Sequence, residues 1–245
     1  DPALKPLHAE ILGLMQGKLD AAQALYEEAL KEPKPAAEAY QGMGRVLVAR
    51  GDFKSARKYL DQALSADGSD WNTYMYDADL REREKDFAGA HKSLDKAAQL
   101  NPFVIFPALS QVRLDLSEEK FDMAKQRLAV LDKRVAKNPI VGYYKAIVAY
   151  VSEDWAAAED GFRQTLASSP NHAQSQLYLA YLMYRRGNLE QAETYLTVYL
   201  QSAPDFEPAK KLLASIQLKR NKADEALKTL GELDAKADSE MLGLK

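Results

Sequence analysis

The feature that most restricts what this chain can fold into is a spacing. Alanine recurs at Ala22, Ala56, Ala90, Ala124, Ala158, Ala192 and Ala226, each 34 residues after the last. Four residues further on, a second column carries a bulky side chain: Tyr26, Leu60, Leu94, Leu128, Phe162, Leu196 and Leu230. Three residues before the alanine stand Leu19, Phe53, Phe87, Phe121, Trp155, Leu189 and Ala223. Residues three and four apart share one face of a helix, so each unit contains an amphipathic helix. A period kept through seven units without a slip means a row of like helical structures, each packed on its neighbours, and not one deep core.

With the column alanine numbered as position 20, the repeats run over residues 3–36, 37–70, 71–104, 105–138, 139–172, 173–206 and 207–238, followed by the start of a further helix. Each is expected to hold a helix A over positions 1–14 and a helix B over positions 15–30. Gly17, Gly51 and Gly187 fall at position 15, where a turn between helices calls for positive φ. Pro102, Pro170 and Pro204 fall at position 32, where a helix has to stop. Position 8 on helix A is Gly44, Ala78, Ala146, Ala180 and Ala214 in five of the seven repeats. Small residues at 8 and 20 allow two antiparallel helices to approach closely, with the bulky residue at 24 filling the space beside them. Ala29, Ala63 and Ala97 at position 27 are placed to meet the next helix A. In repeat 4, Asn138-Pro139 falls three residues later than Asn101-Pro102 in repeat 3. That shift predicts a longer helix B in repeat 4 and a shorter helix A in repeat 5.

A small residue at 8, Gly at 15, an aromatic or Leu at 17, Ala at 20, a bulky residue at 24, Ala at 27 and Pro at 32 together resemble the tetratricopeptide repeat. The resemblance covers essentially the whole chain. It departs at Glu10 and Val112 in position 8, Asn221 in position 15, Ala223 in position 17 and Leu131 in position 27. It implies an all-α, right-handed α-solenoid, a superhelix of about seven helix-turn-helix repeats. Helices A would line its concave surface, chiefly through positions 2, 5, 9 and 12. From Tyr143 to Leu230 the wording is more particular: Pro170-Asn171-His172, Leu177-Tyr178-Leu179-Ala180, the run from Gly187 to Leu196, Ala203-Pro204, Ala209-Lys210-Lys211-Leu212-Leu213-Ala214 and Ala223-Asp224-Glu225-Ala226-Leu227. These are similar to the tetratricopeptide-repeat lipoproteins associated with bacterial exosortase/PEP-CTERM sorting and exopolysaccharide export. That resemblance implies a periplasmic, lipid-anchored scaffold, and no functional residue transfers with it. Composition alone leaves the cytoplasm as the alternative. The chain opens at Asp1 in repeat register and ends on Met241, Leu242 and Leu244, where a terminal cap would turn a polar face outward. Both ends are expected of an array that continues beyond this piece.

Thirty-three basic and 36 acidic residues leave a net charge of −3 with no long basic run, which excludes a nucleic-acid partner. The absence of cysteine removes disulfides, thiolate metal sites and a cysteine nucleophile. No apolar run approaches the ~18 residues of a transmembrane segment. His8, His91 and His172 occupy unlike positions in different repeats, with no His/Asp/Glu cluster at metal-ligand spacing. Each is expected to be structural or solvated, and no metal or cofactor is expected. Gly42-Met43-Gly44 lies in a helix and lacks the Gly-Lys-Ser of a phosphate loop, and no serine sits in a G-x-S-x-G elbow. The adjacent pairs Glu27-Glu28 and Glu118-Glu119 point in different directions from a helix. The expectation is a protein that is not an enzyme, with no catalytic residue.

Tyrosine stands out, with 13 in the chain. Positions 5, 6, 9 and 12 are Tyr143, Tyr144, Ile147 and Tyr150 in repeat 5, and Leu177, Tyr178, Tyr181 and Tyr184 in repeat 6. Positions 5, 9 and 12 form one helical stripe. The flanking repeats are more polar there, with Ser110 and Arg113 before and Lys211 and Ser215 after. An apolar patch tipped with hydroxyls and rimmed by Arg113, Arg185 and Lys211 suits an extended peptide or a partner helix laid in the groove. Two other readings stay open. The tyrosines could serve only to pack neighbouring helices, or their faces could stack on the sugar rings of a polysaccharide.

Overall fold

In the computed structural model, residues 19–231 are described, and every regular element among them is a helix. Helix α1 (Leu19–Ala29) is the helix B of the first repeat. Five A–B pairs follow: α2 (Ala37–Ala49) with α3 (Phe53–Ala66), α4 (Trp71–Arg83) with α5 (Phe87–Leu100), α6 (Phe106–Ser117) with α7 (Phe121–Arg134), α8 (Pro139–Val151) with α9 (Trp155–Ser168), and α10 (Ala173–Arg185) with α11 (Leu189–Ser202). Helix α12 (Glu207–Lys219) precedes a last helical run, α13, over 223–231. The fold is all-α, in the order of an α-solenoid. The chain divides into two compact units, the first ending at Arg127 and the second beginning at Leu128. His8, Gly17 and the segment from 232 onward, including Met241, Leu242 and Leu244, lie outside the described residues.

Helices A start where the 34-residue frame places them, or one residue later at Phe106, but helices B start at position 17, two residues later than expected. The cause is local. Position 15 turns the chain with positive φ, and position 16 is then the N-cap. The side chains of Asp52, Asp86, Asp154 and Asn188 each accept the backbone N–H three residues on, satisfying a donor that the first helical turn cannot use.

The expected lengthening of helix B in repeat 4 does not occur. Helix α7 has 14 residues, as α3 has, and α8 has 13, as α4 has. Asn138-Pro139 works as a helix start instead of a stop. The Asn138 side chain accepts from the N–H groups of Ile140 and Val141. Pro139 occupies the first turn, where its missing N–H costs nothing.

The column alanines from Ala22 to Ala226 are all 0–1% exposed, and the bulky column is buried from Tyr26 to Leu196. Leu230, near the end of the described residues, is 36% exposed. The close approach inferred for positions 8 and 20 is visible at Gly44. A Cβ there would lie 2.9 Å from Leu60 Cγ, with the Ala56 carbonyl behind it at 3.5 Å. In the second unit Ala146, Ala158, Phe162, Leu179, Ala180, Leu196 and Leu213 belong to one continuous core.

Consecutive repeats are also joined by ion pairs that no column of identical residues announces. Position 21 on helix B faces position 14 of the next helix A, 27 residues later. In the first unit Arg57 donates to Glu84 at 2.6 Å, and His91 Nε2 lies 2.8 Å from Glu118 Oε2. In the second unit the sense is reversed, with Glu159 paired to Arg186 and Glu193 to Arg220. Burial pushes the Glu193 carboxyl upward, but hydrogen bonds from Lys222 and Arg220 prevail and hold it below its ordinary value. Arg57 also reaches Asp77, which is buried and further held by Arg81 and Ser93.

Candidate functional site

Helices α8 and α10 carry the tyrosine stripes of the second unit. Both are started by side-chain caps, Asn138 for α8 and His172 for α10, where the imidazole accepts from the Ser175 N–H. One helical register then sets Tyr143, Ile147 and Tyr150 along α8, and Leu177, Tyr181 and Tyr184 along α10. Under them lies Phe162 of α9, wholly buried at position 24. The Tyr178 ring stacks on Phe162 with centroids 4.7 Å apart and planes within 2°. Tyr143 and Tyr150 approach the same ring at 6.0 and 6.5 Å. Tyr150 meets Tyr178 edge-on at 4.9 Å, which joins α8 to α10. Tyr143 meets Tyr144 at 5.6 Å and the His172 ring at 4.5 Å.

These contacts fix the rings without hiding them. All six tyrosines of the two helices remain partly exposed. Burial raises the phenols of Tyr143, Tyr150 and Tyr178 above their ordinary value, and neighbouring phenols add to it. Tyr184 moves the other way. Lys219 donates to its hydroxyl at 2.7 Å and stands over its ring at 4.6 Å, lowering it. The face is thus an aromatic surface with hydroxyl groups as its polar handles, and Lys219 places a cation at its Tyr184 end.

The three rim cations are placed differently from one another. Arg185 lies over the Trp155 ring at 4.1 Å, and Trp155 in turn meets Tyr150 at 5.4 Å, so this cation belongs to the aromatic cluster. Lys211 is exposed and paired with Glu207 at 2.9 Å on its own helix. Arg113 is in the first unit, on α6, and pairs with Glu82. Trp155, Phe162 and Lys219 support the cluster but were not anticipated as part of it. Trp155 and Phe162 stand in the packing columns at positions 17 and 24, and only the helix pairing brings those columns beneath the stripe.

The histidines need one correction. His172 is structural, as expected, and caps α10. His91 is not isolated: its Nε2 lies 2.8 Å from Glu118 Oε2 and 3.7 Å from Asp115 Oδ1. Asp115 and Glu118 are one turn apart on α6 and its C-terminal cap, and His91 reaches them from the preceding helix B. Sequence spacing could not show that meeting, because it requires knowing which helix faces stack.

A family profile described as "Tetratricopeptide repeat" matches residues 14–74 and 151–216. Cellulose synthase 1 operon protein C of Komagataeibacter xylinus is 26% identical over 187 residues, a stretch that is 75% of this chain and 12% of that protein. The chain thus spans about an eighth of the length of that relative. Among solved structures, yeast Tom70 superposes with a TM-score of 0.76 at 22% identity, over 95% of this chain and 50% of that one. The pilF protein of Pseudomonas aeruginosa superposes with a TM-score of 0.67 at 19% identity, over 90% of this chain and 99% of that one. At such identities the structural likeness speaks for the fold alone.

Proposed function

This chain belongs to the tetratricopeptide repeat family, and from that premise we propose that it is a non-catalytic scaffold whose second unit holds a peptide or partner helix on its tyrosine-bearing face. The observation that carries the proposal is the pair of adjacent stripes, Tyr143–Ile147–Tyr150 and Leu177–Tyr181–Tyr184, partly exposed over Phe162. The rings of Tyr143, Tyr150 and Tyr178, already held by edge-on and stacked contacts, lose little freedom on binding, so their contact area is available to a ligand at low entropic cost. Hydroxyl tips supply donors and acceptors to an extended backbone.

The setting we propose is a bacterial envelope assembly for exopolysaccharide export or protein sorting. The similarity to a cellulose synthase operon protein and the resemblance to exosortase-associated lipoproteins both support it. In that setting the parent protein would be periplasmic and lipid-anchored. A second reading, binding of the exported polysaccharide itself, is favoured by the same aromatic faces.

One experiment separates the two. Peptides selected from a random displayed library against the immobilised chain are titrated against the wild type and the Tyr181→Ala/Ile147→Ala double variant. The double variant is expected to lose about tenfold or more in affinity with an unchanged circular dichroism spectrum. Peptides bound equally by both forms would remove the tyrosine face from the function. Cello-oligosaccharide binding that disappears in the double variant, with no peptide ligand recovered, would move the assignment to polysaccharide.

A further inference from the structure

In the first unit, the joint between repeats 3 and 4 is chemically unlike its neighbours. Between repeats 2 and 3, the guanidinium of Arg57 offers separate N–H groups to Asp77 and to Glu84, so one fork serves two carboxylates. Between repeats 3 and 4 the position is His91, and two carboxylates, Asp115 and Glu118, again face it. An imidazole has a single group at Nε2. A proton there is committed to Glu118 Oε2 at 2.8 Å. Asp115 Oδ1 is left 3.7 Å away, without a hydrogen-bond partner, on a residue that is 0% exposed. The second oxygens are already satisfied: Asp115 Oδ2 accepts from Arg127 at 2.7 Å, and Glu118 Oε1 pairs with Lys120. A buried carboxylate oxygen with no donor is costly, and here it is aimed at the imidazole nitrogen.

The geometry points to a binding site for a divalent transition-metal ion of the zinc type, held by His91 Nε2, Asp115 Oδ1 and Glu118 Oε2. One ligand atom from each of the three residues lies within 4.8 Å of the other two. Zinc bonds of roughly 2.0–2.2 Å in a tetrahedral shell set donor atoms about 3.3 Å apart. The two separations from His91, 2.8 and 3.7 Å, bracket that value. One imidazole nitrogen with two carboxylate oxygens is a donor set that zinc accepts, with water completing the shell. The ion would replace the single shared proton and satisfy the orphaned oxygen as well. His91 Nδ1 is buried without a partner, and this holds whether Nε2 carries a proton or a metal, so it does not choose between them. A bound ion would clamp α5 to the end of α6 and make the stiffness of this joint depend on metal supply.

The test uses the whole chain after treatment with EDTA and dialysis. Titration calorimetry with zinc chloride is expected to show one equivalent bound with Kd on the order of micromolar. At hundredfold excess over Kd the melting temperature of the first unit should rise by roughly 10 °C. Cobalt(II) should give the visible absorption of a four-coordinate site. His91→Arg, which recreates the fork of the neighbouring joint, should remain folded and lose both the cobalt absorption and the response to zinc. Asp115→Asn, which keeps the shape beside Arg127, should bind zinc at least about tenfold more weakly. No zinc bound by the wild type, or equal binding by wild type and both variants, overturns the proposal.

Discussion

At position 15 the backbone enters the left-handed region in every described repeat from the second onward, whichever residue stands there. φ is 79° at Gly51 and 77° at Gly187, but also 62° at Lys85, 60° at Glu119, 61° at Glu153 and 60° at Asn221. A Cβ on Gly51 or Gly187 would meet nothing within 4 Å, so φ alone favours glycine there. For Lys and Glu the left-handed region costs about 1 kcal/mol or more. Glu153→Gly is therefore expected to raise stability in urea denaturation by about 0.5–1 kcal/mol, with the extra freedom of glycine in the unfolded chain offsetting part of the relief. A lower midpoint would show that the turn is not strained at Glu153. The glycines made this turn legible in the sequence, whereas Lys85, Glu119 and Glu153 gave no sign of it, since nothing in a long polar side chain asks for positive φ. His172 offers a second test. Burial lowers its pKa below the ordinary 6.5, so the fold favours the neutral ring that caps α10 and the unfolded chain takes up the proton first. The stability it contributes is present above pH 6.5 and is lost as pH falls through the lowered folded value. The melting temperature of the second unit should fall between pH 7 and 5.5, and His172→Asn, which keeps a cap without titrating in that range, should flatten the profile.

Among elements, the contacts within a helix pair were legible and those between pairs were only half so. Ala at 20, a small residue at 8 and a bulky one at 24 are types that packing dictates, and they recur unchanged because each pair solves the same geometric problem. The joints between positions 21 and 14 solve their problem with either sign. Arg57 with Glu84 and Glu159 with Arg186 are equivalent contacts built from opposite residues, so no column forms for periodicity to detect. The misplaced expectation for α7 and α8 has a similar origin: Asn-Pro ends a helix at 101–102 and begins one at 138–139, and spacing alone does not say which. A charge swap tests the joint. Glu159→Arg should destabilise by roughly 1–2 kcal/mol, because Glu159 is buried while Arg186 is half exposed and partly screened. Adding Arg186→Glu should recover part of that loss. A coupling energy of about zero in the double-mutant cycle would mean that the pair joins nothing.

For the molecule as a whole, stability is a sum over neighbours, so damage in one unit should stay largely within it. The two tryptophans report on this separately, Trp71 in the first unit and Trp155 in the second. Ala158→Leu overpacks the contact with helix α8 and should cost about 1–3 kcal/mol. Followed in single-tryptophan backgrounds, it should move the Trp155 unfolding transition to lower urea and displace that of Trp71 by much less. Equal displacement would mean that the chain unfolds as one piece. The tyrosine stripe was legible at this scale because positions 5, 9 and 12 share a face. Its floor, Phe162, and the meeting of His91 with Asp115 and Glu118 were not, since both depend on how successive helices stack. The joints carry one more consequence. Setting repeat 6 directly behind repeat 2 would oppose Arg57 to Arg186, and repeat 3 behind repeat 5 would oppose Glu159 to Glu84. Unequal crossing-over within such a gene could shuffle interchangeable units freely, but here an exchange that sets like charges across a seam carries a penalty that one preserving its polarity does not, so the order of the repeats is itself inherited information.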